Sequence, residues 1–231
     1  MRGGVPAFPV PARALVVSCQ ARPDNPLHGP VHMAAMARAA EAGGALGLRV
    51  NGPADVAAVR AATALPVIAI LKRRTDGFPV EITPAFADAA AVVAAGADVV
   101  ALDATDRPRD GEPLADLITL VRARLGRPVM ADVATLAEGI AAAAAGADAV
   151  ATTLSGYTGP VHAARDDPPD LDLVEALAAA VGVPVVAEGR LWTPEQVAEA
   201  LRRGARAVVV GTAITNPREI TRRFVAGTVA R

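Results

Sequence analysis

Several residue types are scarce in this chain of 231 residues, and each scarcity excludes a class of protein. The one cysteine, Cys19, has no partner for an internal disulfide, which excludes a disulfide-stabilised framework. The formal net charge of −1 gives no basic field that would attract nucleic acid or a membrane surface. No apolar run reaches the ~18 residues of a membrane span, and no signal-peptide core follows Arg2. We therefore expect a cytoplasmic protein that binds neither nucleic acid nor a membrane.

Aromatic residues are also scarce, whereas small aliphatic residues are abundant. Hydrophobic residues make up 52% of the chain but aromatic residues only 3%. This composition is typical of parallel strands that are buried on both faces and covered by alanine-rich helices. A (β/α)₈ barrel typically needs ~250 residues, close to the length of this chain. We expect one domain over residues 1–231, with residues 1–12 as a loose N-terminal extension.

Eight short apolar runs predict strands, and a helical pattern follows each of them. The predicted strands span residues 14–19, 45–50, 67–71, 99–102, 129–131, 149–152, 185–187 and 207–210. The predicted helices span residues 33–42, 53–63, 87–95, 114–125, 136–145, 171–181, 194–203 and 217–226.

The residues that precede these strands form two alternating sets. Glycine and a small residue precede the even-numbered strands at intervals of roughly 50 residues, where a helix C-cap requires a left-handed residue. Proline opens strands three, five and seven, at Pro66, Pro128 and Pro184. Four repeats of two βα units predict a closed (β/α)₈ TIM barrel. An open doubly wound sheet is the alternative, but no Gly-x-Gly-x-x-Gly follows the first strand.

Polar residues stand where the predicted strands end, which is the catalytic end of such a barrel. In chain order they are Gln20, Arg49, Lys72, Asp103, Asp132, Thr152, Thr153, Glu188 and Gly211. A purely structural barrel would not need long carboxylates and cations directed into one narrow mouth, so the set predicts an active site.

Lys72 is distinctive because it is the only lysine beside 22 arginines. Arginine cannot lose its proton in a protein, whereas a desolvated lysine can serve as a base near neutral pH. The alternative is an ordinary surface lysine. Its place at the end of the apolar run 67–71 favours the catalytic interpretation.

The last two strand ends predict a phosphate site. Small residues after strands seven and eight expose backbone N–H groups beside a helix N-terminus, which is the usual phosphate site of these barrels. The predicted ligands are Gly189, Arg190, Gly211 and Thr212, and Arg190 would add a charge-assisted contact. The alternative is that these glycines only form tight turns.

Histidine offers no support for a metal centre. None of the three histidines, His28, His32 and His162, ends a predicted strand. Pro30 lies between the first two, which indicates a helix entry and not a pair of ligands on one helix face. We predict neither a metal nor another cofactor.

Five segments of the sequence strongly resemble the N-acetylmannosamine-6-phosphate 2-epimerase family. They are LVVSCQA at 15–21, ALDAT at 101–105, TTLSGYT at 152–158, VAEGR at 186–190 and VVGTAIT at 209–215. The resemblance runs from about residue 13 to about residue 226 and implies a barrel of the ribulose-phosphate-binding type. It also implies interconversion of N-acetylmannosamine 6-phosphate and N-acetylglucosamine 6-phosphate in sialic-acid catabolism, without a metal or redox cofactor. A homodimer is implied in the same way.

The resemblance also implies roles for individual residues. Lys72, Glu188 and Asp132 take the positions of the family's essential lysine, glutamate and aspartate. Gln20 and Arg49 take those of its substrate-binding residues, and we further expect Asp103, Thr153 and Tyr157 to contact the substrate. Many members carry an arginine that helps to hold the phosphate where this chain has Asn216.

The expected chemistry is proton transfer at C2 of the ring-opened sugar, with Lys72 as base and Glu188 as its partner. Whether Lys72 serves both faces of C2 or shares them with Glu188 is open at this stage. Two other functions also remain open. One is a phosphopentose epimerase or a phosphoribosyl-type isomerase, although the former would use a metal ring of His and Asp at the strand ends. The other is a non-catalytic barrel that only binds sugar phosphates.

Overall fold

Eight parallel strands close into a barrel in chain order, with the last strand paired back onto the first. The structure is a computed structural model and describes residues 5–159, 162–164 and 167–229. The strands are β1 (Ala14–Cys19), β2 (Gly47–Asn51), β3 (Val67–Ile70), β4 (Val99–Asp103), β5 (Val129–Asp132), β6 (Ala149–Ala151), β7 (Val185–Glu188) and β8 (Ala207–Val210). The prediction of a (β/α)₈ barrel is confirmed, and the open doubly wound sheet is wrong.

Helices follow the strands and cover the outside of the barrel. They are α1 (Pro30–Ala42), α2 (Pro53–Ala62), α3 (Phe86–Ala94), α4 (Leu114–Leu120), α5 (Leu136–Ala144), α6 (Leu171–Ala180), α7 (Pro194–Arg202), α8 (Thr212–Thr215) and α9 (Pro217–Val229). The predicted helix over 114–125 ends in a π-helical turn, Val121–Leu125. The short α8 was not predicted. Among the described residues, no helix is both long and apolar enough to cross a membrane.

Alternate strand residues point into the barrel, and this alternation decides which polar residues share its mouth. One buried cluster contains strand residues such as Ile70, Met130 and Val186 but no helix residue, so it fills the barrel interior. Residues two positions further along each strand face the same interior. Lys72, Asp132 and Glu188 therefore point into one mouth, as do Asp103, Thr153 and Gly211 at their own strand ends.

Residues 1–4 of the predicted loose extension lie outside the described residues, and residues 5–12 correct the prediction for the rest of it. Phe8 and Val10 are buried within the inner cluster, with exposed fractions of 9% and 0%. Arg206 beside the entry of β8 binds the backbone of this segment through a contact from its Nε to the Val10 carbonyl. Packing of these two apolar side chains into the barrel holds at least this part of the segment in place.

The recurring Gly-Ala-Asp entry of β4 and β6 has a structural cause. Gly96 and Gly146 adopt φ values of +110° and +99°, as a helix C-cap requires. The following Asp98 pairs with β3, since its N–H donates to the Val67 carbonyl and its Oδ2 accepts from the Val67 N–H at 2.9 Å. Asp148 makes the same two contacts with Val129 of β5. These aspartates therefore set the register between neighbouring strands.

Candidate active site

A buried ion cluster crosses the mouth of the barrel. Arg49 of β2 donates from Nη2 to Asp132 Oδ2 at 2.5 Å and from Nη1 to Asp132 Oδ1 at 3.0 Å. The same Nη1 donates to Glu188 Oε2 at 2.6 Å. The exposed fractions of these side chains are 1% for Arg49, 0% for Asp132 and 14% for Glu188. One guanidinium thus neutralises carboxylates from two strands on the far side of the barrel.

Thr153 completes this cluster from the end of β6. Its hydroxyl donates to Asp132 Oδ1 at 2.7 Å and lies 3.2 Å from Glu188 Oε2. Thr152 beside it fixes the backbone of Glu188, because its Oγ1 accepts from the Glu188 N–H and donates to the Glu188 carbonyl. The orientation of Glu188 is therefore set by contacts from both β2 and β6.

Burial and charge act in opposite directions on the members of the cluster. Burial raises the pKa of Glu188, and the nearby Asp132 raises it further, while Arg49 and the Thr153 hydroxyl act against this shift. Burial alone would lower the pKa of Arg49, but the two carboxylates outweigh it and raise that pKa. Arg49 therefore stays charged, and Glu188 is the group in the cluster that can hold a proton.

Lys72 lies at the same mouth. Its ammonium has no hydrogen bond or ion pair among the described residues, whereas its backbone N–H donates to Asn51 Oδ1 at 2.8 Å. Solvent reaches the residue, but the walls of the mouth displace much of the water around the ammonium. This desolvation and the charge of Arg49 lower the pKa of Lys72, and Glu188 acts in the opposite direction. A free amine is thus accessible here.

Gln20 and Asp103 meet different partners at the rim. Gln20 donates from Nε2 to the Ser18 hydroxyl at 2.9 Å, so its amide oxygen is not used by that contact. The Asp103 carboxylate accepts from the backbone and hydroxyl of Thr105 at 3.0 and 2.6 Å, and from Arg107 at 2.7 Å. These contacts use both carboxylate oxygens in the loop after β4. Substrate contact by Asp103 stays a prediction.

Arg190, in the loop after β7, lies against Tyr157, in the loop between β6 and α6. Arg190 donates from Nε to the Pro168 carbonyl at 2.9 Å and from Nη1 to the Ser155 carbonyl at 2.6 Å. Its guanidinium stacks on the Tyr157 ring, 5.4 Å from the ring centre. Carbonyl oxygens thus occupy two of the donors that the sequence assigned to phosphate. The guanidinium has further N–H groups that these contacts do not use, so phosphate binding by Arg190 and substrate contact by Tyr157 stay predictions.

The three remaining predicted phosphate ligands lie after β7 and β8. Gly189 requires its glycine, since its φ is +110°. A Cβ at Gly211 would lie 3.2 Å from Ser18 Cβ, so the close approach of β1 and β8 favours glycine there. Among the described residues, the N–H groups of Gly189 and Thr212 donate to no acceptor. These amides can bind an anion.

Asn216, at the position where many family members have arginine, lies between α8 and α9. Its side-chain oxygen accepts from the Glu219 N–H at 3.4 Å and from Asn25 at 3.5 Å. Arg218, two residues further on, pairs with Asp24 at 3.1 Å. Both contacts join the loop after β1 to the loop after β8. Arg218 is therefore not placed as a free substitute for the missing arginine.

Sequence reasoning missed Arg107 and Asn51, each of which contacts a residue at the mouth, and it placed Thr152 at a strand end without predicting that Thr152 fixes the backbone of Glu188. The position of Asn51 on the inner face of β2 is a signal that could have revealed it. No group of three or more His, Cys, Asp or Glu side chains suited to a metal occurs in the part of the chain that the structure describes.

Comparison with known proteins identifies the family of the chain. The profile described as "Putative N-acetylmannosamine-6-phosphate epimerase" matches residues 33–230. A "Putative N-acetylmannosamine-6-phosphate 2-epimerase" of Caldanaerobacter subterraneus subsp. tengcongensis is 47% identical over 213 residues, which cover 91% of this chain and 89% of the relative. A relative of the same name from Thermosynechococcus vestitus is 51% identical over 201 residues, 87% of each protein.

A solved structure agrees with these relatives. The N-acetylmannosamine-6-phosphate 2-epimerase from Clostridium perfringens matches 94% of both chains with a TM-score of 0.90 and 43% sequence identity. The resemblance seen in the five sequence segments is thereby confirmed over nearly the whole chain. The protein belongs to the N-acetylmannosamine-6-phosphate 2-epimerase family.

Proposed function

We propose that this protein interconverts N-acetylmannosamine 6-phosphate and N-acetylglucosamine 6-phosphate by proton transfer at C2, in the catabolism of sialic acid and related amino sugars. The observation that carries the proposal is the pairing of two groups at one barrel mouth. The pKa of Lys72 is lowered, and its amine has no hydrogen bond or ion pair among the described residues. The pKa of Glu188, which belongs to the buried cluster with Arg49, is raised. Perturbed groups of opposite type in one cleft are typical of an acid–base site.

The substrate must first be activated, because the C2 proton of a closed pyranose is barely acidic. Ring opening makes C1 an aldehyde and places the C2 proton next to a carbonyl. The neutral Lys72 amine then takes that proton, and the electron pair moves onto the C1 oxygen to form an enolate. Return of a proton to the opposite face of C2 inverts the centre, and collapse of the enolate restores the aldehyde.

Glu188 is suited to be the acid of this reaction. Its Oε2 accepts from Arg49 and lies 3.2 Å from the Thr153 hydroxyl, while Oε1 has no hydrogen-bond partner among the described residues. Because its pKa is raised, the group can carry a proton at a pH where an exposed glutamate is ionised. It can donate that proton to the ring oxygen during opening or to C2 during inversion.

Arg49 and Asp132 act on these two groups and need not transfer a proton themselves. The charge of Arg49 favours the neutral form of Lys72 and stabilises the negative enolate. Both oxygens of Asp132 are bound by Arg49, and the side chain is fully buried. In this proposal Asp132 is a positioning residue that holds Arg49, in contrast to the catalytic role assigned from the sequence. Gln20 and Thr153 remain the candidates for contact with hydroxyl and acetamido groups.

The reaction is tested by following the hydrogen at C2. With either 6-phosphate as substrate in D₂O, we expect solvent deuterium to enter at C2 during turnover, measured by NMR of recovered product. The non-phosphorylated sugars should be poor substrates, because phosphate binding away from the reacting carbon contributes to transition-state stabilisation. Turnover with full retention of the original C2 hydrogen would exclude proton transfer. Binding without exchange or turnover would favour the non-catalytic barrel.

The phosphate contact is tested at Asn216. We expect Asn216→Arg to lower KM about tenfold, because a charge-assisted contact is worth roughly 1.5–3 kcal/mol. Asn216→Met is the matched control, since it loses the same contacts to Asn25 and Glu219 without adding charge, and it should not lower KM. An unchanged KM in the arginine variant would show that backbone amides alone hold the phosphate.

A further inference from the structure

The loop that carries Lys72 folds back between two strands of the barrel. β3 and β4 pair only at Ile68–Val99 and Ala69–Val100, whereas β4 and β5 pair at four positions. Beyond that point a returning segment fills the space, because Ile82 accepts from the Asp103 N–H and forms an antiparallel bridge with Lys72. Lys72, which the sequence placed at the end of a predicted strand over 67–71, is thus held in a hairpin.

Thr83 ends this returning segment in an unusual conformation. Its φ of +47° lies in the left-handed region, which a β-branched residue rarely adopts, and the residue is fully buried. Such a conformation persists only where the surroundings impose it, and it is commonest at functional sites. The surroundings here are three hydrogen bonds made by this single residue.

Those bonds connect Thr83 to the residue just before Lys72 and to β4. Its hydroxyl accepts from the Leu71 N–H at 3.1 Å and donates to the Ala101 carbonyl at 2.7 Å. Its own N–H donates to the Leu71 carbonyl at 2.9 Å. Both polar groups of the Leu71 backbone are therefore held by Thr83, and the next N–H, that of Lys72, is held by Asn51.

We infer that Thr83 is a positioning residue for Lys72 and that, through the backbone of Leu71, it keeps the amine in the mouth where Arg49 and Glu188 also lie. The inference rests on the proposed function, in which Lys72 is the base. The charged groups that act on the amine come from β2, β5, β7 and the loop after β1, namely Arg49, Asp132, Glu188 and Arg22. Their combined effect on the pKa of Lys72 depends on their distances from the amine, so a loosened hairpin changes that pKa.

The single lysine allows a direct measurement that does not require activity. Protein made with ¹³C,¹⁵N-labelled lysine, and without lysine in any tag, gives the NMR signals of Lys72 alone. Titration of these signals reports the pKa of this amine in the parent and in each variant. Thr83→Val keeps the shape but removes the hydroxyl, whereas Thr83→Ser keeps the hydroxyl. Thr83→Gly removes the hydroxyl and adopts a positive φ without strain, so it serves if the valine variant does not fold.

In the variants without the hydroxyl we expect the pKa of Lys72 to rise towards that of an ordinary lysine. We expect kcat to fall about 10- to 100-fold with little change in KM, as for a misplaced catalytic group. Thr83→Ser should restore both values. Thr63→Val is the matched control, since Thr63 Oγ1 accepts from the Leu65 N–H before β3 begins, and it should change neither.

The outcomes separate this inference from the proposed function. A parental Lys72 titration in folded Thr83→Val or Thr83→Gly protein overturns the positioning role, even if thermal stability falls. A changed titration in these variants, with a parent protein that exchanges no C2 hydrogen, supports the positioning role and removes the proposed reaction.

Discussion

Lys72→Arg should fold and bind sugar phosphate like the parent, yet lose on the order of 10²–10⁴ in kcat. Arginine preserves the charge and approximate length but has no accessible neutral form. The Lys72 ammonium has no ion pair or hydrogen bond among the described residues, so the substitution breaks no side-chain contact there. The measurement is kcat and KM for both 6-phosphates, with substrate binding measured separately.

The pH dependence and a neighbouring variant sharpen this test. The neutral amine is the active form, so kcat of the parent should rise with pH through the lowered pKa of Lys72, and the arginine variant should lack this rise. Arg74→Lys makes the reverse exchange at an exposed position of the same loop and should keep parental kcat. Near-parental kcat in a folded Lys72→Arg protein would move the base to Glu188 or Asp132.

Arg49→Met should lower the free energy of unfolding by about 3–5 kcal/mol, measured by urea unfolding at neutral pH. The substitution leaves the buried carboxylates of Asp132 and Glu188 without their shared cation. Buried carboxylates without a cation have raised pKa values in the folded state, so they bind more protons folded than unfolded. The stability of the variant should therefore decrease as pH rises above the unfolded-state pKa values and partly recover in acid.

Two further variants test the cause of this loss. Adding Asp132→Asn and Glu188→Gln to Arg49→Met removes the uncompensated charges and should restore part of the stability. Arg218→Met removes an ion pair with Asp24 that is exposed on both sides, and it should cost about 1 kcal/mol or less. If Arg49→Met unfolds at the parental urea concentration, the cluster does not depend on its guanidinium for stability.

Much of the architecture could be predicted from local sequence patterns. Apolar runs of three to six residues depend on periodicity, and glycines at helix ends such as Gly96 and prolines at strand entries such as Pro66 depend on turn chemistry. These features depend on interactions between residues that are close in the chain, so they can be recognised in a single sequence. The placement of Lys72 at the mouth follows from the same alternation, because its strand ends there.

Contacts between distant parts of the chain could not be predicted in this way. Arg49 binds Asp132 and Glu188, which are 83 and 139 residues away, and only closure of the barrel brings these three residues together. Arg190 looked available in the sequence, but the loop between β6 and α6 supplies the Ser155 and Pro168 carbonyls that accept from it.

The positive φ of Thr83 could not be predicted either, because no local sequence signal indicates that a threonine adopts the left-handed region. The sequence therefore determined the strands, the helices and which residues stand at the mouth, because these depend on local periodicity. The tertiary structure decided which of those residues are paired and which remain free for substrate, because pairing depends on strand register and on loops that meet only after the barrel has closed.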